Sequence, residues 1–266
     1  MDGLYLYCIR KKTDSVSLSI KGIDGRGDVF VLPFQQIEAV VSEVSLEEFA
    51  SDEIQKRAQN DTHWIREKSI IHENVVEKAM EQNDEIVNVI PMKFGTIFKN
   101  IEGLEQSLNS HWEKFKTTLE KLEGKQEWCV KLYLVDRKKI EYEVKSKSKI
   151  IIEKEKEIAT LPEGIAYFLE EKLASLVSRD VDTKLNKIQK TLFNGFKKYA
   201  EQSLEGKILE KELTGRSELM ILNASYLIKR EKVDDFKNEA DKVFKKIKPK
   251  GFLLEYSGPW PPYNFV

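Results

Sequence analysis

The sequence predicts a two-domain α+β protein, and three observations lead to it. At 266 residues the chain is long for a single core and fits two domains of ordinary size. Its first half opens with short strand-like runs and continues into long stretches of helical periodicity. Its second half reads strand, helix, strand, strand, helix, strand, the ferredoxin-like split βαβ order (βαββαβ), in which two right-handed crossovers bury both helices on one face of an antiparallel sheet. The predicted boundaries are 1–124 for an α+β N-terminal domain and 125–257 for the C-terminal domain, with a charged helical or loop insertion near 136–160. Residues 258–266 form an extended tail rich in proline and aromatic residues.

Taken in order, Leu4 to Ile9 alternates as a strand does, and Asp28 to Leu32 and Ile37 to Val44 read as further strands between turn signals at Gly22, Gly25, Gly27 and Pro33. Ser45-Leu46-Glu47-Glu48 has capping-box spacing, and a helical stretch from about Asp52 to Gln82 carries Trp64, Ile71, Val75 and Ala79 on one stripe. Glu85 to Ile90 returns to strand. Ile101, Leu104, Leu108, Trp112, Phe115, Leu119 and Leu122 keep three- and four-residue spacing, which predicts one helix capped at Gly124.

Gln126 to Val135 is a strand that opens the second domain. Asp136 to Ile158 is dense in Lys and Glu and reads as a solvated helix or an exposed loop. Apolar helical spacing from Ile165 to Tyr199 is long enough to expect a break, or a projecting hairpin formed with the charged segment. Gly206 to Leu213 and Ser217 to Lys229 read as two strands joined at Thr214-Gly215-Arg216. Val233 to Ile247 is an amphipathic helix ended by Pro249 and Gly251, and Phe252 to Tyr256 is the last strand.

Composition narrows the function classes. The 44 basic and 45 acidic residues leave a net charge of -1, so no global electrostatic case exists for nucleic acid or an anionic membrane. Cys8 and Cys129 each lie in an apolar strand-like run, which predicts buried reduced thiols and a reducing compartment. No basic n-region precedes an apolar stretch, and no window approaches the ~18 apolar residues of a membrane span. The reading is cytoplasmic and not membrane-inserted.

Motifs that carry chemistry are scarce. His63, His72 and His111 are the only imidazoles, and His72-Glu73 lacks the second histidine four residues on that a zincin helix needs. No metal or cofactor is predicted, and His72 and His111 read as satisfied boundary histidines. No G-x-S-x-G is present, and the glycines at 22, 25 and 27 sit between strands, where they make a turn rather than a phosphate cradle. Lys250-Gly251-Phe252-Leu253-Leu254-Glu255-Tyr256 begins like an RNA-binding RNP1 motif, then departs from it through two leucines and an acid.

Two motifs are specific: Pro91-Met92-Lys93-Phe94-Gly95-Thr96-Ile97-Phe98 and the terminal Gly258-Pro259-Trp260-Pro261-Pro262-Tyr263-Asn264-Phe265. With them in one chain, the sequence resembles the gas-vesicle GvpF/GvpL family. The similarity takes in Leu4-Tyr5-Leu6-Tyr7, Glu127-Trp128, Gly164 to Leu169 and Leu222 to Ile228, but not Asp136 to Ile158. It implies a non-enzymatic accessory or minor structural protein of gas-vesicle assembly, located in the cytoplasm at the vesicle or its assembly complex. The implied partners are the hydrophobic shell protein GvpA and other accessory gas-vesicle proteins. Structural or partner-contact candidates are Pro91, Phe94, Gly95, Phe98, Tyr167, Asn223, Tyr226, Gly258, Pro259, Trp260, Pro261, Pro262, Tyr263 and Phe265.

The competing reading is a small-molecule or acyl-transfer enzyme with a pocket between the domains. An exposed apolar patch or an unpaired sheet edge would favour binding instead. Three of the chain's seven prolines and three aromatics lie in the tail. Prolines restrict the unfolded chain and aromatics supply anchors, so the tail is expected to pack back across the second domain or the domain junction.

Overall fold

The computed structural model describes residues 2–13, 18–49, 51–82 and 85–266. These form two compact units, one comprising Met1–Glu127 with Pro259–Val266, the other Trp128–Gly258.

In the first unit, β1 (Asp2–Lys11) is buried along its whole interior, β2 is Phe30–Phe34 and β3 is Ile37–Ser45. A turn in which Ser45 O accepts from Glu48 N and Phe49 N leads towards α1 (Ser51–Asn60). The predicted single helix ends there, because Asp61 accepts from Trp64 N at 2.9 Å and caps a new helix, α2 (Thr62–Met80). Short strands β4 (Glu81–Gln82) and β5 (Glu85–Ile86) pair with each other, and β6 (Val89–Pro91) and β7 (Ile97–Phe98) both pair with β1. The main sheet runs β2-β3-β1-β6, so β1 is flanked on both edges. The helix predicted from Ile101 is likewise two, α3 (Ile101–Ser110) and α4 (Trp112–Leu122), interrupted at His111. Asn100 caps the first by accepting from Gly103 N, and Gly124 at φ +68° follows the second.

Within the first unit, β1, β3 and the inner face of α2 share one core that includes Tyr5, Tyr7, Val40, Val44, Trp64, Val75 and Ala79. A buried ion pair adds direction to it. Arg10 Nε reaches Glu38 at 2.6 Å and Arg10 Nη1 donates to Ala79 O at 2.8 Å, linking β1 to β3 and to the end of α2.

The second unit contains β8 (Lys125–Leu134) from Trp128 on, α5 (Arg137–Lys147), α6 (Lys149–Ile158), α7 (Glu163–Lys197), β9 (Ala200–Glu205), α8 (Lys211–Thr214), β10 (Leu219–Lys229), α9 (Val233–Ile247) and β11 (Phe252–Trp260) up to Gly258. Its sheet is ordered β11-β8-β10-β9. Phe236 on α9 lies at the centre of the core, with ring centroids 5.4 Å from Phe196, 6.0 Å from Tyr226 and 6.2 Å from Trp128.

Four expectations change here. The charged 136–158 segment is two packed helices, because its sparse apolar residues Ile140, Val144, Ile151 and Ile158 are all buried and join the same core as Leu173, Val177 and Val181 of α7. With that cover in place α7 runs unbroken through 35 residues, and the expected interruption is absent. The strand expected at 206–213 lies at 200–205, paired with β10 from Ile228↔Ala200 to Ala224↔Glu205. Beyond it the chain turns away through α8, which ends on Gly215 at φ +67°. Strand β11 also extends to Trp260, so the first residues of the predicted tail are sheet.

Gly251, at φ +88°, sits where an added Cβ would lie 2.7 Å from Asp136 O, while an added Cβ at Gly195 within α7 meets nothing within 4 Å. Gly251→Ala should therefore cost roughly 2–3 kcal/mol and Gly195→Ala should gain roughly 0.5–1 kcal/mol, read from denaturant midpoints.

Candidate functional site

Tyr5 and Tyr7 stand two residues apart on β1, so strand alternation turns both toward α2, and their rings are 4.7 Å apart. Helix α2 brings His72 against them, its ring centroid 5.7 Å from each. Phe94, from the loop after β6, closes the cluster at 6.3 Å from Tyr5, 6.1 Å from His72 and 6.4 Å from Trp64.

Within this apolar ring a chain of hydrogen bonds runs with one polarity. Gly95 N–H donates to Tyr5 OH at 2.9 Å, and Tyr5 OH lies 3.0 Å from His72 Nδ1. His72 Nε2 lies 3.1 Å from Tyr263 OH, which is hydrogen-bonded to the Glu73 carboxylate. The amide at one end can only donate and the carboxylate at the other can only accept. Every group between is satisfied when Tyr5 donates to Nδ1, Nε2–H donates to Tyr263 and Tyr263 donates to Glu73. This donor order corresponds to the Nε2–H tautomer, with the Met92 carbonyl a further acceptor beside the ring.

The electrostatics agree with a neutral ring. Burial pushes His72 down from 6.5 to about 4, against an opposing pull from the Met92 carbonyl. Burial raises the Tyr5 and Tyr263 hydroxyls, and the Glu73 charge raises Tyr263 further. Glu73 itself is raised by burial, with the Tyr263 hydroxyl pulling it back. Cys8 is pushed up to about 12 by burial and stays a thiol.

The tail reaches this cluster from the other end of the chain. Pro261, Pro262 and Phe265 are buried, and two tight turns form where Pro261 O accepts from Tyr263 N and Pro262 O from Phe265 N. Lys121 Nζ donates to Phe265 O at 2.7 Å. The buried Glu127 carboxylate accepts from both the backbone N–H (3.2 Å) and the side-chain amide (2.5 Å) of Asn264. The tail therefore seats within the first unit, and not across the second domain, one of the two places the sequence suggested. The aromatics gave the need for a seat, but its position is set by polar partners, His72, Glu73, Lys121 and Glu127, scattered through the first half.

The two specific motifs thus converge on one histidine. Pro91 pairs with Cys8 and Phe98 with Leu4, which fixes both ends of the loop that presents Phe94 and Gly95. Gly95 has φ +79° and packs so that an added Cβ would touch Ile54 at 3.4 Å. Tyr263 and Phe265 anchor the tail, while Gly258, Pro259 and Trp260 belong to β11 and are half-buried. Three candidates lie elsewhere, in the second unit. Tyr226 is a core residue whose hydroxyl donates to Phe193 O, Asn223 Nδ2 donates to Lys207 O to hold the turn after β9, and Tyr167 is exposed on α7.

Sequence reasoning missed His72, Glu73 and Glu127 as participants. Two tyrosines on one strand face and a histidine beside an apolar stripe were a usable signal for the first; nothing in the sequence marked Glu127 as the carboxylate the tail needs. Among the described residues no group of three or more His, Cys, Asp and Glu could hold a metal, and no helix is long and apolar enough to cross a membrane. Chemically the arrangement is a clamp around a neutral imidazole, in which each hydroxyl and ring nitrogen already has a partner.

The profile of the family described as "Gas vesicle synthesis protein GvpL/GvpF" matches residues 3–266. Gas vesicle protein F1 of Halobacterium salinarum is 24% identical over 265 residues, covering 100% of this chain and 93% of its own length. Gas vesicle protein L of a Streptomyces species is 25% identical, covering 98% and 92%. The crystal structure of GvpF from an Anabaena species has a TM-score of 0.72 at 21% identity, with 100% of this chain and 96% of that chain covered. That of GvpF from Microcystis aeruginosa has a TM-score of 0.69 at 20% identity, with 99% and 98% covered. The mixed helix-and-sheet fold is shared with both.

Two outcomes follow from the clamp. An imidazole held at about 4 in the folded chain against 6.5 when unfolded contributes stability that is complete above 6.5 and is lost as pH falls toward 4, on the order of 3 kcal/mol in all. Glu73, being raised, opposes that trend near its own titration. Melting temperature followed from pH 7 to pH 4 should fall in the native chain and fall less in His72→Gln. Deleting 261–266 strips His72, Glu127 and Lys121 of their tail partners and should cost roughly 3–5 kcal/mol with new dye-binding apolar surface, whereas deleting Val266 alone should change little.

Proposed function

Because the chain belongs to the gas vesicle synthesis protein GvpL/GvpF family, we propose that it is a non-catalytic accessory or minor structural protein of gas-vesicle assembly that binds the hydrophobic shell protein GvpA. The supporting observation is an exposed apolar set on the helical layer of the second unit. Tyr142 on α5, Ile150 on α6, and Ile165, Tyr167 and Phe168 on α7 are each more than half exposed, Tyr142 and Tyr167 by about three-quarters. Large side chains of this kind, distributed over three helices that pack on one another, fit a partner surface. The clamp around His72 fits an internal structural role for the 91–98 loop and the tail. The strand order β11-β8-β10-β9 supports reading the second unit as ferredoxin-like. On this reading the protein works in the cytoplasm, at the vesicle or its assembly complex, alongside other accessory gas-vesicle proteins.

Capture of an epitope-tagged chain with GvpA and with floated vesicles tests the proposal, and absence from both fractions would overturn it. Tyr167→Ser with Phe168→Ser should leave the fold intact and reduce capture by roughly tenfold. Raising ionic strength from low to moderate should weaken binding only a few-fold, since the contact is chiefly apolar. A loss of orders of magnitude with salt would contradict that mechanism.

A further inference from the structure

Helices α6 and α7 are joined by only four residues, 159–162, and α6 is far shorter than its neighbour, so it covers only part of it. A groove of about 490 Å³ opens against the two helices, lined by Ile158 of α6 and Leu169, Leu173 and Leu176 of α7. The three leucines follow each other by four and then three residues and form one ridge about two turns long. Lys154, Lys172 and Arg179 also line the groove, against a single carboxylate, Glu157.

These cations have no carboxylate partner among the described residues. Elsewhere in this layer charges pair within the chain, as Glu143 does with Lys184 at 2.7 Å and Lys145 with Glu155 at 3.6 Å. Among the described residues neither Lys154, Lys172 nor Arg179 enters an ion pair, and the Lys172 ammonium lies 4.3 Å over the Phe168 ring. The chain as a whole is nearly charge-balanced, so a net excess of two positive charges at one apolar groove is a local property.

We propose that this α6–α7 groove is a docking site for an amphipathic helix of a partner protein, one whose apolar stripe repeats at three- and four-residue spacing and is flanked by Asp or Glu. The inference rests on the binding role proposed above and gives it a location and a partner chemistry. Interdigitation with the Leu169, Leu173 and Leu176 ridge requires the same helical spacing in the occupant. The unpaired Lys154, Lys172 and Arg179 select carboxylates at its flanks and disfavour a basic helix. Such exposed pairs add modestly to an apolar contact, in keeping with weak salt dependence.

The test uses the full chain and an 18-residue capped peptide with leucines at 3–4 spacing and glutamates on both flanks, compared with a matched peptide carrying lysines instead. Calorimetry should show the glutamate peptide binding roughly tenfold tighter, with the preference reversed in the variant Lys154→Glu, Lys172→Glu, Arg179→Glu. These three side chains are exposed and outside any ion pair among the described residues, Lys172 making only a surface contact with the Phe168 ring, so the variant should keep its circular dichroism and lose little melting temperature. Ser175→Trp, which fills the groove without changing charge, should abolish binding of both peptides. Equal binding of the two peptides, or a preference unchanged by charge reversal, would overturn the proposal. So would finding that the same variant abolishes self-association in sedimentation, or binding to phosphatidylglycerol vesicles, since the occupant would then be a second copy or lipid. If GvpA capture survives both variants, the groove assignment fails and the assembly role stands; if the peptides bind as expected but GvpA and vesicles are never captured, the converse holds.

Discussion

His72 is buried among Tyr5, Tyr7 and Phe94, and the first unit is organised around keeping that imidazole neutral with both nitrogens engaged. A lone polar ring in such a setting would cost several kcal/mol. Its two hydroxyl partners come from opposite ends of the chain, residue 5 and residue 263, and each is itself held by a further group, Gly95 N–H on one side and the Glu73 carboxylate on the other. Satisfying one residue therefore requires the first strand, the second helix, the loop at 91–98 and the last six residues to be in place together.

That requirement explains why segments so distant in sequence carry the family resemblance jointly. Tyr5 bonds Gly95 directly and reaches Tyr263 through His72, while Glu127 holds Asn264, the residue after Tyr263; removing the Tyr5 or Tyr263 hydroxyl leaves a nitrogen of the buried His72 ring without its hydroxyl partner. The second unit shows the contrasting economy. Its core is apolar around Phe236, and its outward helical layer leaves Tyr142, Tyr167 and Phe168 in solvent.

Elements defined by their own periodicity were legible. Strands β1, β3 and β8 and helix α9 lie close to where alternation and 3.6-residue spacing put them. Features decided by single polar groups were harder to read. Asp61 and His111 divide helices whose apolar stripes run on without a gap. The 136–158 segment looked solvated because each helix turn contributes only one or two apolar residues, yet Ile140, Val144, Ile151 and Ile158 suffice to bury it. Most residues of the candidate site were named by motif, but their meeting point was not, because Glu73 and Glu127 signal nothing, and His72 no more than a place beside an apolar stripe, until the fold brings the tail to them.

The coupling between Tyr5 and Tyr263 tests this account most directly. Their hydroxyls do not touch; each reaches the other only through the His72 ring, at 3.0 Å and 3.1 Å. In a double-mutant cycle of Tyr5→Phe and Tyr263→Phe, measured by denaturant unfolding, the account predicts a coupling free energy above roughly 0.5 kcal/mol, because losing either hydroxyl already disrupts the donor order that serves the other. Additivity within about 0.3 kcal/mol would contradict it, and would mean that the loop and the tail are held independently.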